Sequence, residues 1–303
     1  MACLVNPRII NRKYVKIAKE NNEDVELYSN YIDYYVDVPC GRCINCVNRY
    51  MSNWRNRLMY EWEYMSSEAR QNSYFVTLTF DDKSLVLARS NLQTFKRKFI
   101  DRIRKKVGSS PRHWIVSEYG EKFGRLHLHG LFFDVNFCIY DLEKFWTHGL
   151  VDYSQMNENC IKYCTSYITK GNDDIIVPPE KIQRVFCSPG IGKAYCDDKY
   201  NIRYHHPADG VLNPIMQNSS QFLQAMPRYF KEKIFDEFER EDMTQQFFLE
   251  RSDDVIPDPP YRIGKRTYTD YTLYLEACEE YKRLYKKLYS KKDVRKLNVH
   301  HGE

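Results

Sequence analysis

Residues 112–133 constrain this chain more than any other stretch. RHWIVSEY (112–119) and RLHLHGLFF (125–133) are rich in β-branched and aromatic residues, and the intervening GEKFG begins and ends with glycine. This pattern predicts two antiparallel strands joined by a tight turn. Side chains two apart in a strand share a face, so His127 and His129 project side by side. Leu131 and Phe133 continue that face, while Leu126, Leu128 and Gly130 belong to the other. Two protonated imidazoles side by side would repel, but as neutral rings both can offer a nitrogen to one metal ion. The turn brings Ser117, Glu118 and Tyr119 opposite Arg125–His127, so Glu118 can join the histidines, with Glu121 in the turn as a substitute. Two histidines and one carboxylate with open positions suit a divalent ion that also holds substrate. The plainer reading is a pair of hydrogen-bonded sheet histidines.

Other elements follow from periodicity. VNRYMSNWRNRLMYEWEYM places Met51, Trp54, Leu58 and Trp62 at helical spacing, which predicts a helix over 44–66. SYFVTLTF (73–80) reads as a strand, 91–107 as an amphipathic basic helix, 141–147 as a short helix and 158–170 as a helix stopped by Gly171. Residues 1–40 look irregular or β-like, 172–215 read as loops and a hairpin, and helices are expected near 219–250 and 266–291 around a linker at 252–260. SPGIGKAY follows no strand-then-helix pattern for a dinucleotide and reads as a loop. The order strand, helix, strand, strand, helix predicts an α+β fold on a central antiparallel sheet.

On the helix at 158–170, Tyr163 and Tyr167 lie one turn apart with Lys170 on the same stripe. A phenol is a nucleophile only when activated, by a nearby cation or a metal-polarised electrophile. Spacing alone does not single this pair out, because Y-x-x-x-Y also occurs at 31/35, 60/64, 200/204, 281/285 and 285/289. Its place just after the histidine hairpin does. Cys40, Cys43 and Cys46 form C-x-x-C-x-x-C, three thiolates able to share one tetrahedral Zn²⁺. Cys3 on a folded-back N-terminal arm is the natural fourth ligand, a histidine the alternative, and a cluster of buried thiols the plainer reading. Cys160 and Cys164 are expected to be packing residues.

The formal net charge of +5 admits a polyanionic partner without requiring one. The distribution says more: Lys96, Arg97, Lys98, Arg102, Arg104, Lys105 and Lys106 cluster on one predicted helix, and 25 tyrosines suit stacking on bases. No apolar run approaches a membrane span, and the N-terminus lacks the apolar region of a signal peptide. A soluble, cytosolic protein with reduced cysteines is expected.

VPCGRCINCVNRYMSNWRNRLMYEW, SYFVTLTF, VSEYGEKFGRLHLHGLFF, YCTSYITKG, SPGIGKAY and MPRYFKEKIF, in that order over about two thirds of the chain, resemble the HUH endonucleases, named for two histidines around a hydrophobic residue. Within that group they look like the replication-initiation proteins of the small single-stranded DNA phages, the gokushovirus-like microviruses. The resemblance implies a ferredoxin-like or RRM-like palm. It implies rolling-circle initiation by metal-dependent, site-specific nicking and joining of single-stranded origin DNA through a 5′-phosphotyrosine intermediate. Carried over, His127, His129 and Glu118 would hold Mg²⁺ or Mn²⁺, Tyr163 and Tyr167 would be the nucleophiles, and Lys170 would partner a phosphate or phenolate. Thr77 and Thr79 would build the sheet beneath. The chain then divides into a Cys-cluster segment with the first helix (1–66), an endonuclease core (67–215) and a C-terminal helical region (216–303). The host bacterial cytoplasm is the expected location. Host replication proteins are expected partners, including a helicase, since no G-x-x-x-x-G-K-[ST] is present. Two rivals remain: a zinc-stapled, non-catalytic DNA-binding protein, which would not need His127 and His129, and a non-haem Fe(II) enzyme, which would not need the tyrosine helix.

Overall fold

The computed structural model describes residues 3–31, 34–120, 125–170, 183–217, 223–250, 260–263 and 266–289, without the side chains of 245–250. The expected turn at 121–124, the helix stop at Gly171 and the linker up to residue 259 lie outside the described residues. The chain forms two compact units, one drawn from 1–50 and 256–303, the other from 51–171 and 182–255.

The first unit begins with β1 (Arg8–Ile10), α1 (Arg12–Asn21) and β2 (Tyr35–Asp37), with β1 and β2 antiparallel. Helix α1 falls where the sequence reads as irregular or β-like. Its signals are local: Asn11 caps the first turn by accepting from the Lys13 amide, and Asn22 ends the helix in the left-handed conformation. Helix α2 (Ile44–Glu63) then carries the chain into the second unit, close to the expected 44–66.

The second unit is built on one five-stranded antiparallel sheet. Its elements are α3 (Ser67–Gln71), β3 (Tyr74–Thr79), α4 (Asp82–Val107), β4 (Arg112–Tyr119), β5 (Leu126–Phe133), α5 (Leu142–Phe145), β6 (Val151–Gln155), α6 (Glu158–Ser166), β7 (Val185–Cys187), α7 (Lys193–Asp197) and α8 (Lys199–His205). After these come a hairpin of β8 (Ile215–Gln217) and β9 (Leu223–Ala225), then α9 (Arg228–Ile234) and α10 (Glu237–Glu250). The sheet order is β6-β3-β5-β4-β7. One face carries Val76, Leu78, Ile115, Leu126, Leu128 and Phe132, which pack against Leu92, Phe99, Ile100 and Ile103 of α4 and against Leu142, Phe145 and Trp146. The other face lies under α2, where Trp54 meets Trp114 at 5.9 Å, and under α6. With both faces covered, every residue of β5 is buried except half-buried His127, which explains its nearly continuous apolar run.

Three expectations shift. Helix α4 begins at Asp82, capped by Asp81, and Asn91, where the sequence expectation starts, is a kink with φ −135° and ψ 41°. The expected long helix at 219–250 is a hairpin strand and two helices, because Pro227 starts α9 and the chain is extended at Phe235. The loops of 172–215 include β7, α7 and α8.

The first unit resumes with the antiparallel pair β10 (Tyr261–Ile263) and β11 (Arg266–Tyr268) and with α11 (Tyr271–Leu288), which Asp270 caps. The expected helix at 266–291 therefore starts later, after a strand. Tyr281, Tyr285 and Tyr289 form a buried stripe with Ile263 around Cys3, Cys40, Cys43 and Cys46.

Gly149, just before β6, sits at φ +144°, and a Cβ there would lie 2.0 Å from the Thr79 carbonyl oxygen and 2.7 Å from the Asp81 amide nitrogen. Only glycine fits so close to the end of β3. Gly149→Ala is expected to cost about 3 kcal/mol or more, read as a lowered urea midpoint. An unchanged midpoint would show that this approach is not fixed.

Candidate functional site

Register builds the site. Glu118 of β4 pairs with His127 of β5, and on the far side of β5 Thr77 pairs with His129 and Thr79 with His127. Residues directly opposite one another share a face, so Thr77, Thr79, Glu118, His127 and His129 lie on one side of three adjacent strands. Helix α6 crosses that side. Asn157 caps it by accepting from the amides of Asn159 and Cys160, and Ile161, Cys164 and Thr165 are buried under it. The chain stays in a helical turn to Lys170, whose amide donates to the Ser166 carbonyl at 2.9 Å. Cys160 and Cys164 are free thiols, and buried Cys164 packs as expected.

His129 is held on four sides. Its ring lies parallel to Tyr167 at 4.3 Å and to Phe75 at 5.9 Å. Its Nδ1 is 3.2 Å from Thr77 Oγ1, and its Nε2 is 3.1 Å from Glu118 Oε2. The other Glu118 oxygen accepts from Lys170 Nζ at 3.1 Å, and Lys170 also lies over the Tyr167 ring at 4.9 Å. The Tyr167 hydroxyl donates to the Tyr163 hydroxyl in a short hydrogen bond. The two tyrosines differ sharply in access: Tyr163 is 50% exposed and Tyr167 2%.

The titration of these groups follows from their surroundings. Burial works against ionisation of Glu118, yet hydrogen bonds from His129 and Lys170, with their charges, outweigh it and hold the carboxyl below its ordinary 4.5. Burial lowers His129 despite the opposing pull of Glu118, so the imidazole is neutral at pH 7. Burial also raises the Tyr167 phenol, and its bond to Tyr163 adds to the effect, so Tyr167 stays protonated.

His127 stands apart. Its Nδ1 is buried without a hydrogen-bond partner, and its ring packs at Gly120, where a Cβ would lie 3.3 Å from Cε1. A divalent ion fits this donor set in two respects. The 3.1 Å between His129 Nε2 and Glu118 Oε2 is what two adjacent ligands show around an ion with bonds of about 2.1 Å. The orphaned nitrogen of His127 lacks any other partner. The three donors do not have the mutual spacing of the cysteines, which among the described residues alone bring all their ligand atoms within 4.8 Å of one another.

Cys3, Cys40, Cys43 and Cys46 form that group, all buried and able to hold a metal ion. Cys40 and Cys46 sulfurs lie 4.0 Å apart, Cys43 and Cys3 sulfurs 3.9 Å. The amides of Leu4, Cys40 and Cys43 donate to cluster sulfurs at 3.5, 3.2 and 3.2 Å. Thus Glu118, His129, Tyr163, Tyr167 and Lys170 are brought together, His127 lies opposite Glu118 with one nitrogen unspent, and Cys3 joins the cysteine triplet. Sequence reasoning missed Phe75 and the hydrogen-bonding place of Thr77. Their signal was strand parity: 75, 77 and 79 share one face of β3.

Residues 73–172, which contain Thr77, Glu118, both histidines, both tyrosines and Lys170, match the family of replication-associated proteins typified by ORF2. The chain is 21% identical over 170 residues to the replication-associated protein ORF4 of Chlamydia phage 1, covering 48% of this chain and 41% of that one. It is 25% identical over 224 residues to the replication-associated protein VP4 of Bdellovibrio phage phiMH2K, covering 64% of this chain and 66% of that one. The chain is related to phage replication-associated proteins. The resemblance drawn from its motifs to microvirus replication initiators is borne out by these matches. It spans less than two thirds of the length of either relative. No solved structure matches it, and no helix among the described residues is long and apolar enough to cross a membrane.

The Glu118 network gives a pH prediction, read in metal-free buffer. The folded-state pKa lies below the unfolded one, so the carboxylate's contribution is complete above about 4.5 and is lost as pH falls through the lower folded value. The stability difference between wild type and Glu118→Gln should be constant at neutral pH and shrink below about 4.5. A difference that grows on acidification would contradict the network.

Proposed function

We propose that this chain initiates rolling-circle replication by nicking and rejoining single-stranded DNA through a 5′-phosphotyrosine, with Tyr163 as the first nucleophile on an HUH-type palm. The observation that carries the proposal is the stack and hydrogen-bond chain from Phe75 through His129, Glu118 and Lys170 to the two tyrosines. It lies on one sheet face, inside the stretch matched by a replication-associated family.

Tyr163 is open to solvent, so a backbone phosphate can reach it. Tyr167 keeps its proton and donates to the Tyr163 oxygen, which stabilises negative charge there as the phenolic proton passes to solvent. The Tyr163 oxygen attacks phosphorus in line. The bond to the 3′-oxygen breaks, that oxygen takes a proton and leaves as a 3′-OH, and the 5′ side remains joined to tyrosine. Attack by a 3′-OH on the phosphotyrosine reverses the step and frees the phenol. Lys170 places a positive charge beside the reacting phosphate while its bond to Glu118 fixes its position. Mg²⁺ or Mn²⁺, held by His127, His129 and Glu118, would act as a Lewis acid on the scissile phosphate, and histidine ligation favours Mn²⁺.

Zinc suits the cysteine cluster. Four sulfurs about 2.3 Å from a tetrahedral ion lie about 3.8 Å apart, close to the 3.9 and 4.0 Å seen here. Elemental analysis of the purified chain is expected to find one zinc per molecule, lost in Cys43→Ala. Retention of full zinc in that variant would place the metal elsewhere.

The nickase reading is tested with labelled single-stranded origin DNA and Mn²⁺. Tyr163→Phe and His129→Ala should abolish cleavage while DNA binding survives. Tyr167→Phe should slow cleavage about tenfold, the loss of roughly 1.4 kcal/mol expected for one charge-stabilising hydrogen bond. Tight binding without cleavage by the wild-type chain across the genome would instead favour the zinc-stapled binding protein.

A further inference from the structure

On the layer of the sheet opposite Tyr163, a cleft of about 550 Å³ is lined by Arg102, Lys105 and Lys106 of α4 and by Asp141, Lys144 and Phe145. Four cations face one carboxylate, an excess of three positive charges. Arg102 is fixed in the wall, donating to the Phe145 carbonyl at 2.9 Å, and Lys144 pairs with Asp141. Lys105 and Lys106 are exposed, and among the described residues no carboxylate pairs with either. Lys98, Arg102, Lys105 and Lys106 recur at intervals that place them on one stripe of α4. From Lys98 to Lys106 that stripe rises about 12 Å, roughly three to four nucleotides of a DNA strand.

Next to Asp141, Tyr140 is 72% exposed, and its ring meets Tyr153 of β6 edge-on at 6.0 Å. The residue after Tyr153, Ser154, pairs with Phe75, and the Phe75 ring meets Tyr163 at 5.9 Å on the other face. Strand β6 is the outer strand of the sheet. The cleft and the reacting tyrosine therefore lie on opposite faces of the sheet, both beside the same edge.

We propose that this cleft binds the backbone of single-stranded DNA, with Tyr140 as a platform for one base. It would take the part of the strand that flanks the nick as it turns around the β6 edge. The flanking role rests on the nickase reading; the binding does not. Exposed lysines and a fixed arginine neutralise phosphates without reading sequence, and an open tyrosine ring stacks on any unpaired base. A duplex offers no free base face to Tyr140.

The test uses the full chain without added divalent ion and a fluorescein-labelled oligothymidylate, read by anisotropy across a salt series. Lys105→Ala/Lys106→Ala/Lys144→Ala should raise Kd about tenfold or more and lower the slope of log Kd against log salt by about two, since each single-strand phosphate contact contributes about 0.7. Tyr140→Ala should weaken binding about fivefold or more and leave the slope unchanged. The triple Lys→Arg variant should bind like wild type, and equal unfolding midpoints exclude a folding defect. Unchanged Kd and slope in the triple Ala variant would overturn the proposal, as would a loss confined to duplex probes. Failure of the wild-type chain to cleave DNA would sink the nickase reading yet leave these binding results standing.

Discussion

The register of β4 on β5 carries the whole site. It sets Glu118 against His127 and, through β3, Thr77 against His129. A slip of one residue would turn every one of these side chains to the opposite face. The register is enforced from behind, where Val76, Leu78, Ile115, Leu126, Leu128 and Phe132 fill the layer beneath α4. Each of these side chains contributes about 1.5–3 kcal/mol by burial, so a slip would expose a core and bury imidazoles in its place. The geometry of the polar face is thus a consequence of the apolar one.

Within that frame Glu118 is the hub. It is buried, and it remains ionised because His129 and Lys170 both bond to it. The lysine comes from the end of the tyrosine helix, so one carboxylate ties the sheet to the segment that presents the phenols. Aromatic packing completes the arrangement, with His129 parallel to Phe75 on one side and Tyr167 on the other. Contacts of this kind add about 0.5–1.5 kcal/mol each. The same packing separates the tyrosines into a protonated donor and an accessible acceptor.

Much of this was legible in the sequence because it is local. Alternation in β3, β4 and β5 and a short turn are enough to place Glu118 across from His127, and helical spacing is enough to align Tyr163, Tyr167 and Lys170. Contacts between distant segments were not legible. Nothing in KYCTSYITK says that Tyr167 rather than Tyr163 lies against the sheet; that depends on which side of α6 buries Ile161 and Cys164. The Y-x-x-x-Y steps at 281/285/289 looked like background, yet those tyrosines enclose the four cysteines, a partnership between the two ends of the chain. Helix α1 was missed because its short amphipathic pattern sits among tyrosines and valines that favour strands. The helices after residue 215 were overextended because the boundaries at Pro227 and Asp270 are capping signals inside otherwise helix-like composition.

The central claim is that the exposed tyrosine on the histidine face is the group that becomes joined to DNA. The most direct measurement is peptide mapping by mass spectrometry after the chain has reacted with single-stranded origin DNA and Mn²⁺. The account predicts a DNA phosphate on the peptide carrying Tyr163. An adduct on a tyrosine outside α6, such as exposed Tyr200, or cleaved DNA with no protein adduct, would contradict it.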